Sequence, residues 1–124
     1  GIPVICDPET GLRGVAAVID KDLASALLAT ELDAQTIMFL TDVEHVCIDF
    51  NTSDERSIDR MTVDEAQGWL GEGQFPDGSM GPKVRAAIEF LCATDRPDAY
   101  VIIGPLRSAA DAIAGKTGTR ITKS

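Results

Sequence analysis

Histidine, cysteine and positive charge are all scarce in this chain. A single His45 stands among 124 residues, and Cys6, Cys47 and Cys92 are too widely separated to form a C-x-x-C pair. That spacing argues against a zinc site, which needs four converging nitrogen or sulfur ligands. Eleven Lys and Arg face 20 Asp and Glu, a net charge of −9. Such a balance gives no general attraction to nucleic acid or to an anionic membrane, so any phosphate must be held locally. Long apolar runs are lacking too. "TIMFL" at 36–40 and "YVIIG" at 100–104 fall well short of the roughly 18 residues a membrane span requires. With no signal-peptide pattern at Gly1, three free thiols fit a reducing cytoplasm.

What is present suits a folded domain. Hydrophobic residues make up 44% and charged residues 25%, and 124 residues bury a real core. "IPVIC" at 2–6 reads as a buried strand and "DPETGLRG" at 7–14 as a polar turn region. From Asp22 onward Leu23, Ala26 and Leu27 recur at helical spacing, with Asp20 or Asp22 placed to cap. "TIMFL" reads as a second buried strand and "CIDF" at 47–50 as a half-exposed one, followed by a solvated connection, "NTSDERSIDR", at 51–60. Thr62 and Glu65 form a capping box before a helix containing Ala66, Trp69 and Leu70. Pro82 suits a helix first turn, and Val84, Ala87, Ile88 and Leu91 follow as a buried stripe. "AYVIIG" at 99–104 is a third buried strand, Pro105 opens a last helix ending near Gly115, and "TGTRIT" at 117–122 returns as a strand. Alternating strands and helices predict an α/β domain, a three-layer αβα sandwich with a mostly parallel central sheet. Ligands of such sheets gather at strand carboxyl ends, here "DKD", "TDVEH" and "GPLRS".

Two phosphate-loop lookalikes fail. "GKT" at 115–117 would need glycine where Ala110 stands, and "GEGQFPDG" at 71–78 misses the dinucleotide spacing and follows a helix. "DKD" at 20–22 is different, because a helix start aims backbone N–H groups and one ammonium at the same point, which suits an anion. Its plainer reading is a cap, a surface lysine and a solvated acid. Lys83, one turn into a helix, opposes the helix dipole or is simply exposed. Thr41 and Asp42 follow a strand directly, Arg107 is a candidate by position, and His45 reads as a surface residue.

Taken in order, "GIPVI", "VIDKDLASALLA", "LTDVEHVCIDF", "GQFPDGSMGPKVRAAIEFL" and "GTRI" resemble the carboxyl-terminal half of carbamate kinase, in the amino acid kinase superfamily. The resemblance implies a single nucleotide-binding domain over 1–124, with the family's amino-terminal, carbamate-binding half absent. It implies that Lys21 and Lys83 contact the nucleotide phosphates and the transferring group, and that Asp22 organises them. Asp20, Thr41, Asp42, Val43, Cys47, Phe75 and Met80 would border the nucleotide. ATP or ADP with Mg2+ would be the cofactors and carbamate or carbamoyl phosphate the second substrate, in a cytoplasmic homo-oligomer or an association with the other half. Where the family commonly reads "TDVDGVYxNF", this chain has Glu44, His45, Cys47 and Asp49. A non-catalytic nucleotide-binding or assembly module on the same scaffold is the alternative.

Overall fold

The computed structural model describes residues 2–124. A central sheet runs in the order β3 (Thr36–Thr41), β7 (Tyr100–Pro105), β8 (Thr119–Thr122), β6 (Arg60–Thr62), and two further two-stranded sheets are separate hairpins, β1 (Val4–Asp7) with β2 (Gly11–Gly14) and β4 (Val46–Ile48) with β5 (Arg56–Ile58). Strand β3 (Thr36–Thr41) lies parallel to β7 (Tyr100–Pro105), with Ile37 opposite Val101 and Leu40 opposite Gly104. Strand β8 (Thr119–Thr122) pairs antiparallel with β7 and parallel with β6 (Arg60–Thr62), so the sheet is mixed.

Three helices have local causes for where they start. Helix α1 (Lys21–Glu31) is capped by the Asp20 carboxylate, which accepts from the Asp22 and Leu23 N–H groups. Helix α2 (Val63–Gly71) opens with the capping box read from the sequence. Helix α3 (Met80–Ala93) begins where Gly81 passes close to the preceding loop: a Cβ there would stand 3.1 Å from the Pro76 carbonyl oxygen. Pro82 follows within the first turn, where its missing N–H costs nothing. Val84, Ala87, Ile88, Phe90 and Leu91 of α3 pack into one core with Ile37, Phe39, Val101, Ile103 and Ile121 from alternate sheet positions. Each large apolar side chain buried there contributes on the order of 1.5–3 kcal/mol. Phe90, fully buried, is the one whose truncation would damage the core most, by about 3–5 kcal/mol.

The opposite sheet face carries Ile102 and Gly104. It is covered by α4 (Ala109–Ile113), whose Ala112 would sit 3.4 Å from a Cβ at position 104. A 3₁₀ turn, Leu106–Ser108, separates β7 from α4, so Pro105 ends the strand and does not open the helix. The three layers are therefore unequal, and β3 is covered better on one face than on the other: Ile37 and Phe39 are buried, Met38 is half-buried and Leu40 is exposed.

Two further expectations are corrected. "IPVIC" is no buried strand: β1 (Val4–Asp7) pairs with β2 (Gly11–Gly14) in a hairpin that leaves Ile2, Val4, Ile5 and Leu12 exposed. Its turn forms because Asp7 accepts from the Glu9 and Thr10 N–H groups and Gly11 adopts φ +79. Those two bonds, Thr10 first, hold the Asp7 carboxyl below its ordinary value. Within the connection 51–60 lies β5 (Arg56–Ile58), paired antiparallel with β4 (Val46–Ile48), and β6 begins at Arg60. These strands were hidden because polar residues on an exposed face break the apolar pattern.

Candidate functional site

Residues 61 positions apart meet where α1 and α3 begin. The Lys83 ammonium donates to Asp22 Oδ2 at 3.2 Å, and the Lys21 ammonium lies 3.7 Å from the same oxygen. The three partners are unequally buried: the Asp22 side chain is 7% exposed, Lys83 14% and Lys21 83%. An almost buried carboxylate needs a cation nearby, and this explains why Lys83 stands in a helix first turn against the dipole. Lys21, by contrast, reaches into solvent and is free to turn toward an incoming anion. Beside them the Asp20 carboxyl is held below its ordinary value by the Leu23 N–H, then the Asp22 N–H, with Lys21 and Lys83 acting in the same direction.

One turn back along α3, on the same face as Lys83, Ser79 and Met80 line a cavity of about 120 Å³. Its other walls are Val43, His45, Cys47, Phe50 and Pro76. The segment after β3 divides two spaces. Val43 and His45 face this cavity, whereas Thr41, Asp42 and Glu44 line a cleft of about 600 Å³ with Pro105, Arg107 and Ser108 at the carboxyl ends of β3 and β7. Thr41 Oγ1 donates to Asp42 Oδ1 at 3.1 Å.

Three polar ties hold the cavity walls. Buried Thr119 accepts from the Val46 N–H at 2.8 Å and donates to the Ile58 carbonyl, fixing the β4–β5 hairpin to β8. Gln74 accepts from the Asp49 N–H at 2.8 Å and donates to Asp49 Oδ1 at 3.1 Å, which brings the Phe50 and Pro76 sides together. Asp49 and Asn51 take positive φ in this turn, a conformation these two residue types tolerate. The third tie sets His45 Nε2 3.4 Å from Asp59 Oδ1.

Of the residues singled out from sequence, Lys21, Asp22, Lys83 and Asp20 come together at the helix starts. Val43, Cys47 and Met80 share the cavity, and Thr41, Asp42 and Arg107 share the cleft. Phe75 does not line the cavity: it is buried in the hydrophobic core. His45 is half-buried, with 22% of its side chain exposed, and is one of the residues lining the cavity. Thr119 and Gln74 were not singled out, because a buried hydroxyl and an amide carry no spacing signal until both partners are in place. All three cysteines are free. Among the described residues no helix is long and apolar enough to cross a membrane.

The family model for the amino acid kinase family matches residues 1–102. The chain belongs to the amino acid kinase family. Within that family it is 48% identical over 124 residues to a carbamate kinase of Giardia intestinalis and 45% identical, also over 124, to one of Thermococcus kodakarensis. Each alignment covers 99% of this chain, and the chain spans about 38% of the length of either relative. The solved carbamate kinase from Giardia lamblia bound to AMP-PNP superposes with a TM-score of 0.92 at 47% identity, over 100% of this amino acid kinase chain and 42% of that one.

Proposed function

We propose that this chain is the nucleotide-binding part of a carbamate kinase, which transfers a phosphoryl group reversibly between ATP and carbamate to give ADP and carbamoyl phosphate. The observation that carries the reading is two lysine ammoniums, from separate helices, meeting on one oxygen of Asp22. Phosphoryl transfer asks a protein mainly for position and charge stabilisation. Lys83, fixed by the buried carboxylate, would hold a nucleotide phosphate in place. Exposed Lys21 would follow the charge as it moves to the transferred group, with Asp22 limiting repulsion between the two cations. The cavity beside Met80 would take the nucleoside end. Likeness to a carbamate kinase solved with AMP-PNP supports this assignment.

Mg2+ would supply neutralisation of the phosphate charge. Among the described residues no group of three or more His, Cys, Asp or Glu converges to hold a cation. Carbamate binding and turnover would need the rest of a longer protein, since relatives extend well beyond the matched 38%. The exposed Ile2, Val4, Ile5 and Leu12 of the first hairpin, with Leu27, Leu28 and Leu32 on the outside of α1, are surfaces that such a remainder or a second copy would cover in a cytoplasmic assembly.

Titration of the chain with ADP and Mg2+ tests the reading. Lys21→Ala should weaken AMP-PNP, which carries a γ-phosphoryl group, about tenfold, the scale of one charge-assisted hydrogen bond, while ADP and adenosine binding and the melting temperature stay near wild type. No ADP binding by the unsubstituted chain would instead favour the scaffold alternative.

A further inference from the structure

We propose that Gln74 is a positioning residue for the nucleoside: its side-chain amide latches the turn after β4 to the loop before α3, keeps Phe50 and Pro76 together as one wall of the cavity, and so slows release of a bound nucleotide. This rests on the nucleotide reading of the site. The two halves of the latch are unequally held. Gln74 stands just past α2, where the Gly73 N–H donates to the Leu70 carbonyl at 3.2 Å, the Gln74 N–H donates to the Trp69 carbonyl at 3.0 Å and Gly73 takes φ +75, a left-handed helix stop that fixes the backbone. On its other side Phe75 is buried in the core. The partner half is a surface turn, exposed from Phe50 through Ser57. Its own bonds stay local, from the Thr52 N–H and hydroxyl to the Asp49 carbonyl and from the Asn51 N–H to Glu55. Among the hydrogen bonds of the described residues, those of the Gln74 side chain alone join this turn to the loop before α3.

Chemistry fixes how the amide is turned. A backbone N–H only donates and a carboxylate only accepts, so Gln74 Oε1 faces the Asp49 N–H at 2.8 Å and Nε2 faces Asp49 Oδ1 at 3.1 Å. Phe50 and Pro76 line the apolar cavity and also border a polar cleft of about 370 Å³ with Thr52, Glu72 and Gly73, so they form the partition between the two spaces. With the latch broken the partition parts, water reaches the apolar wall, and the burial that retains a nucleoside is lost.

Binding and release of ADP by the whole chain test this. Gln74→Glu opposes two carboxylates and should weaken ADP about tenfold, the scale of one or two hydrogen bonds, through faster release at a nearly constant association rate. Hydrogen exchange at the Asp49 amide should quicken while α1 and α3 amides keep their protection. Adding Asp49→Asn to Gln74→Glu exchanges donor for acceptor, because the new carboxylate accepts from both the backbone N–H and the new amide, and most of the lost affinity should return. Gln74→Met, which drops both bonds without adding charge, should also weaken ADP and serves as the test where Gln74→Glu unfolds. Unchanged ADP affinity in a folded Gln74 variant overturns the proposal and leaves the nucleotide reading intact. So does a loss accompanied by quickened exchange throughout α1 and α3, a loss arising from slower association, or a folded double variant without recovery. Failure of the unsubstituted chain to bind ADP overturns both.

Discussion

At the charged corner, Lys21, Asp22 and Lys83 come from helix starts fixed by local signals, a capping aspartate for α1 and the Gly81-Pro82 turn for α3. The apolar cavity next to it is walled largely by loop residues, and its shape depends on hydrogen bonds reaching across the chain, Thr119 to Val46 and Gln74 to Asp49. The corner is thus governed by charge balance and the cavity by a few buried polar ties. Damage to one should leave the other largely intact.

The largest effect should appear inside the corner, where its two lysines are unequal. Lys83→Met strips the nearly buried Asp22 of its closer partner and should destabilise the chain by about 3 kcal/mol, the lower end for breaking a buried pair because Lys21 remains. Lys21→Met should change stability by less than about 1 kcal/mol, as an exposed pair does. Equal losses in urea unfolding would break the distinction. Next is Thr119→Val, which leaves the Val46 N–H and the Ile58 carbonyl without their partner and should cost about 2 kcal/mol. Hydrogen exchange at Val46 should quicken while α1 amides keep their protection. The smallest effect concerns Asp20. Its carboxyl lies below its ordinary value, so the stability it adds is present above about pH 4 and lost as pH falls through the lower folded-state value. Asn caps equally well and does not titrate. Thermal melts of Asp20→Asn should therefore decline less steeply with acid than those of the unsubstituted chain, and parallel slopes would count against the role of Asp20 as an ionised cap.

The same contrast decides what was legible in the sequence. Signals between near neighbours survived translation into structure: the Thr62–Glu65 capping box, the stripe from Val84 to Leu91, and the run 100–104 inside β7. Readings that equated apolar composition with burial failed at the first hairpin, where the described residues leave Val4 and Ile5 exposed. Sheet direction was half visible: β3 and β7 are parallel as expected, but β8 runs antiparallel to β7, which no local pattern records. Meeting of Lys21 with Lys83 had no spacing signature, and the family resemblance brought the two together before the coordinates did.

The corner that would receive a nucleotide has as many acids as bases, Asp20 and Asp22 against Lys21 and Lys83, on a chain whose overall charge is −9. A polyphosphate approaching from a distance therefore meets a repulsive field and feels attraction only within contact range. Moderate salt, by damping the long-range repulsion, should speed the encounter, the reverse of the behaviour of enzymes that steer their anions in from afar.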